Sequence, residues 1–147
     1  MAIAYLCLGS NKGDRVGFLQ QATSLLGACE GINIIRTSSF YETQPWLEKE
    51  SPWFINAVVE IKTSLEPHDL LNCTMRIENQ LGRNRELEVD GNRTLDIDIL
   101  FYDKQLIEDE TLHVPHVYLH QRAFVLVPFL EINPELVHPI LNKTNSE

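Results

Sequence analysis

Two stretches with helical spacing of apolar residues each lie between runs that read as strands, and that order restricts the fold more than any other feature of the chain. Residues 3–8 form a short apolar run that ends at Gly9-Ser10-Asn11, a strand followed by a turn. Residues 14–29 carry Val16, Leu19, Ala22, Leu25 and Leu26 at helical spacing behind Asp14 as N-cap, and Gly31 stops that helix. Residues 33–43 and 53–63 are rich in β-branched and aromatic residues, and the second run alternates, with Phe54, Asn56, Val58 and Glu60 on one face. Glu66-Pro67 opens a second helix to about Leu81, with Leu70, Leu71, Cys73, Thr74 and Ile77 as its buried stripe. A strand over 94–103 follows. The order β-α-β-β-α-β predicts an α+β, ferredoxin-like core, a mostly antiparallel sheet packed by helices.

The remaining segments are appended to that core. Residues 44–52 and 83–92 read as long charged loops, expected to move over a site between them. A turn at Asp103-Lys104 leads to a short strand over 105–108 and an irregular stretch over 109–118. Residues 121–132 predict a helix broken near Pro128, and residues 142–147 are expected to fray. At 147 residues the chain is expected to be a single domain with a real core.

Charge and cysteine usage narrow the class. A formal net charge of −9 opposes a general nucleic-acid binder, which needs a basic face. No apolar run reaches the ~20 residues of a membrane span, and the N-terminus lacks the basic flank of a signal peptide. Three cysteines, with no C-x-x-C, predict reduced thiols in a cytoplasmic protein, and Cys7 reads as a small core residue. Of seven arginines, Arg83, Arg85 and Arg93 fall within eleven residues, a local basic cluster that fits a small anionic ligand.

The strand after that cluster poses the chemical question. Asp96 and Asp98 share one face of it, about 7 Å apart along the strand, while Ile97, Ile99 and Phe101 are expected to face the core. Two such carboxylates repel unless a cation lies beside them, and one or two carboxylates completed by water and phosphate are what Mg²⁺ prefers. Two exposed acids on the solvent face of a strand are the simpler alternative. Arginine forks match phosphate oxygens, so the neighbouring arginines favour a polyphosphate with its Mg²⁺. There is no P-loop, and residues 9–14, GSNKGD, read as a plain strand–helix turn. His113, His116 and His120 lie close together, but Pro115 breaks any helix there and no cysteine is near, so zinc is not expected. Trp46, Trp53, Phe54 and Phe124 are suited either to stack a flat heterocycle or to fill the core.

Several ordered motifs then carry a resemblance along almost the whole chain: LGSNKGD, SSFYETQPW, FINAVVEI, IENQLGRNR, RTLDIDIL and VPHVYLHQRAFVLVP. Together they resemble the 6-hydroxymethyl-7,8-dihydropterin pyrophosphokinases of folate biosynthesis. The resemblance implies transfer of pyrophosphate from ATP to the pterin hydroxymethyl group, giving AMP and the pterin diphosphate. It implies Asp96 and Asp98 as ligands of two Mg²⁺ ions, with Arg83 and Arg93 completing the catalytic set. It places Glu78, Arg83, Arg85, Arg93, Ile99, Thr111, His116 and Arg122 around ATP. It places the pterin between Phe54 and Phe124, with Asn56, Thr43, Asp96 and the backbone of Gln44, Pro45 and Trp46 at its edge.

The chain departs from the family pattern at Asp90, where a tryptophan is frequent, and at Val117, where a tyrosine is frequent. Partners are expected to be these small molecules alone, with no nucleic acid, no membrane, a monomeric state and no second folate-pathway domain. A non-catalytic ferredoxin-like binding module is the rival reading, and it leaves the paired acids and their arginines unexplained.

Overall fold

A computed structural model describes residues 1–43, 53–82, 94–103, 105, 107–108, 112–114, 137–138 and 143–144. The loops expected over 44–52 and 83–92, Lys104 and the helix expected over 121–132 lie outside them. The core runs β1 (Ala2–Ser10), α1 (Arg15–Ala28), β2 (Ile32–Thr37), β3 (Tyr41–Thr43), β4 (Phe54–Thr63), α2 (Pro67–Gln80) and β5 (Asp96–Tyr102). Short pairs follow, β6 (Ile107–Glu108) with β7 (His113–Val114), and β8 (Val137–His138) with β9 (Lys143–Thr144). Within the segment expected to fray, Lys143 and Thr144 pair with His138 and Val137.

The five-stranded sheet has the order β2-β4-β1-β5, with β3 also on β4, and every pairing is antiparallel. This is the ferredoxin-like arrangement expected from the order of elements. One face carries Ala4, Leu6 and Leu8 of β1, Ala57, Val59 and Ile61 of β4, and Ile97 and Ile99 of β5. Leu19, Ala22 and Leu26 of α1 and Leu70, Cys73 and Ile77 of α2 close over that face. The helix signals hold. The Asp14 carboxylate accepts the Gly17 N–H at 3.1 Å, and Pro67 occupies the first turn of α2. Val16, expected on the buried stripe of α1, sits in the first turn and is 42% exposed.

Two strand expectations change. Residues 33–43 form two strands rather than one, because Ser38 replaces ladder contacts with its own atoms. Its N–H donates to the Val58 carbonyl at 2.8 Å, and its hydroxyl accepts the Val58 N–H at 2.9 Å. In β5, strict alternation fails at a bulge. Leu6 pairs with Ile99 but Tyr5 pairs with Phe101, so Leu100 is the extra residue. Phe101 therefore leaves the helix-side core and meets the Tyr5 ring edge-on, at 6.4 Å between centroids. Tyr102 takes the core position, its hydroxyl donating to the Leu65 carbonyl.

Cross-strand pairs on the sheet's other face set its electrostatics. Glu60 is buried opposite Tyr5, accepts the Tyr5 hydroxyl, and accepts Arg36 Nε at 2.7 Å. Burial alone would raise this carboxyl, but the bonds from Arg36 and Tyr5 outweigh it and hold it below the usual glutamate range. A depressed carboxyl contributes stability above its unfolded pKa and loses it as pH falls through the folded value. Glu60→Gln is expected to lower stability by about 1.5–3 kcal/mol at neutral pH in denaturant melts. The gap to the parent protein should close below the ordinary glutamate range, and a gap unchanged by acid would contradict the charged network.

Candidate active site

The site face follows from which strands lie beside β1. Its central position brings one row together: Gly9 of β1 pairs with Asn56 of β4 on one side and with Asp96 of β5 on the other. The next row toward the sheet centre is Val58, Cys7 and Asp98. The two aspartates therefore share a face, as their spacing predicts, and both are half-buried. That face is opposite the helices, and it also carries Phe54 and Asn56.

Gly9 makes the row usable. A Cβ on Gly9 would lie 2.8 Å from Asn56 Oδ1 and 3.4 Å from Phe54 Cδ1. The absence of a side chain at Gly9 thus lets the Asn56 amide and the Phe54 ring pack closely over the β1 backbone. Asn56 is 3% exposed and offers both a donor and an acceptor, whereas Phe54 is half-buried and offers a ring face. Thr43 pairs with Phe54 in register, which sets the end of β3 at the same edge of the site. Arg15 supports that edge, donating to the Trp53 carbonyl at 2.7 Å and pairing with Glu42 at 3.0 Å.

Glu78 works from beneath. It is 1% exposed in α2, and its Oε2 accepts the Ile97 N–H at 2.8 Å. Ile97 lies between the two aspartates on an edge strand, whose backbone groups need partners from outside the sheet. The carboxylate thereby fixes the backbone that carries both acids. Ile99 has its side chain in the core, which leaves only its backbone to a ligand. Just before β5, Thr94 Oγ1 is buried and has no hydrogen-bond partner among the described residues.

The donor set suits one kind of metal. Among the described residues no group of three or more His, Cys, Asp and Glu side chains forms a closed metal cage. Two carboxylates on one strand face instead match Mg²⁺, which keeps open positions for water and substrate phosphates. Gln44, Pro45, Trp46, Arg83, Arg85, Arg93, Thr111, His116, His120, Arg122 and Phe124 lie outside the described residues. Sequence reading missed Gly9 and took its segment as a plain turn. Alternation along β1 puts Gly9 on the face of Tyr5 and Cys7, but only the strand order shows that Asn56 and Asp96 flank it.

Residues 5–134 match the family model for 7,8-dihydro-6-hydroxymethylpterin-pyrophosphokinase. The chain is 47% identical over 137 residues to the 2-amino-4-hydroxy-6-hydroxymethyldihydropteridine pyrophosphokinase of Methylorubrum extorquens, covering 93% of this chain and 86% of that protein. It is 48% identical over 130 residues to the Bacillus subtilis protein of the same name, covering 88% of this chain and 77% of that one. Among solved structures, wild-type Plasmodium falciparum HPPK-DHPS with pteroate superposes over 99% of this chain with a TM-score of 0.79. That likeness, at 19% identity and spanning 43% of the longer fused chain, concerns the fold. Among the described residues no helix is long and apolar enough to cross a membrane. The chain belongs to the 7,8-dihydro-6-hydroxymethylpterin-pyrophosphokinase family and is an ATP-dependent diphosphokinase of folate biosynthesis.

Proposed function

We propose that the chain moves the pyrophosphoryl group of ATP onto the hydroxymethyl group of 6-hydroxymethyl-7,8-dihydropterin through the face built on β1, β4 and β5. The observation that supports this reading is the row Asn56–Gly9–Asp96, which sets the Asn56 amide and the Phe54 ring on the same sheet face as the two acids. The pterin sets its amide-like edge against Asn56 and one face on Phe54. Phe124 forms the opposite wall, and Thr43, Gln44, Pro45 and Trp46 close the edge.

The hydroxymethyl oxygen then points toward Asp96 and Asp98, which would hold two Mg²⁺ ions. When bound, Mg²⁺ neutralises charge on the ATP phosphates and favours in-line transfer. The hydroxymethyl oxygen releases its proton to solvent and bonds to the β-phosphorus, the bond from that phosphorus to the oxygen it shares with the α-phosphate breaks, and AMP leaves with that oxygen. Arg83 and Arg93 hold the phosphates during transfer, together with Arg85, His116 and Arg122. Thr111 and the backbone of Ile99 meet the nucleoside, while Glu78 acts from under β5. Binding of this kind holds the reactants within reach and converts an encounter into an oriented step. On this reading the protein acts as a monomer in the cytoplasm.

Three measurements test the reading. With ATP, Mg²⁺ and the hydroxymethyl dihydropterin, chromatography of the products is expected to show AMP and no ADP; folded protein that consumes no ATP would refute the assignment. Asp98→Ala should lower turnover by about a thousandfold with an unchanged circular dichroism spectrum. Substantial remaining turnover would remove Asp98 from the metal site. Gly9→Ala pushes Asn56 from its place and is expected to raise the pterin KM by roughly fivefold or more, beside an overpacking cost to stability of about 1–3 kcal/mol. An equal rise in the ATP KM would show that Gly9 does not serve the pterin site.

A further inference from the structure

Outside the site face, a pair of thiols stands out. Cys29 caps the C-terminus of α1, and Cys73 lies in α2 with its side chain in the helix-side core. Their sulfurs are 2.9 Å apart, although the residues are 44 positions apart in sequence. Both are free thiols. Cys73 is buried, whereas Cys29 is only partly covered and remains open to a reagent. Neither residue belongs to the face that carries Gly9, Asn56, Asp96 and Asp98.

We propose that Cys29 and Cys73 form a modification site, a dithiol that a small-molecule disulfide converts to an intramolecular disulfide. Cys29 as thiolate attacks one sulfur of the reagent and releases one reagent thiol. Cys73, already in contact, attacks the Cys29 sulfur of the mixed disulfide and releases the second reagent thiol. The two cysteines lose two electrons and two protons, and the reagent disulfide gains both. Burial, the Cys73 hydrogen bond and the Cys73 charge raise the Cys29 thiol to about 11 against the opposing charge of Arg76. Cys29 is therefore held as the thiol at neutral pH.

The bridge ties the end of α1 to the middle of α2 and closes a chain segment that contains β2, β3 and β4. Such a closure restricts the unfolded chain and raises stability. Because it lies on the helix side of the sheet, it leaves the site face as it is.

The test incubates the full chain with oxidised glutathione at mildly alkaline pH, then counts thiols after denaturation and maps the linked peptides. The expected result is a fall from three thiols to one, a Cys29–Cys73 peptide and no glutathione adduct. The melting temperature should rise, turnover should hold, and dithiothreitol should reverse the change. Cys29→Ser should abolish the bridge and the rise in melting temperature together. Three surviving thiols, a lasting adduct on Cys29, a bridge that includes Cys7, or an oxidised protein with no gain in melting temperature would each overturn the proposal.

Discussion

Pairing of β1 along both of its edges is the constraint on which the rest depends. β4 runs beside it over nine register positions and β5 over six, so β1 cannot shift without breaking both ladders. Because side chains alternate, that single strand separates two jobs. Ala4, Leu6 and Leu8 feed the core under the helices, while Tyr5, Cys7 and Gly9 form the middle of the opposite face. A slip of one residue would exchange the two sets and bury the site face.

Two buried carboxylates show how polar groups are accommodated in this frame. Glu60 is held by Arg36 and Tyr5, and Glu78 by the Ile97 backbone. A buried charge without such partners would be strongly destabilising. Their roles differ. Glu60 stiffens the sheet away from the acids, whereas Glu78 holds the strand segment that carries them.

Much of this was legible in the residues. Helical spacing and caps located α1 and α2, and the alternation in 53–63 placed Phe54 and Asn56 on one face before any coordinates. The i, i+2 rule put Asp96 and Asp98 together. What escaped was non-local. Ser38 interrupts a strand by bonding to Val58, twenty positions away, and nothing in its own neighbourhood announces that. The approach of Cys29 to Cys73 depends on how two helices cross, which periodicity does not encode. The resemblance sets Glu78 near the nucleotide, and only the fold shows that its carboxylate accepts the Ile97 N–H and supports the strand.

The extra residue at Leu100 also acts as a phase break. Upstream of it, the acids keep the phase set by Gly9 and Cys7. Downstream, the phase is reset, so that Phe101 rather than Leu100 completes the row with Tyr5. The orientation of the acids is therefore insulated from whatever length or sequence follows Tyr102.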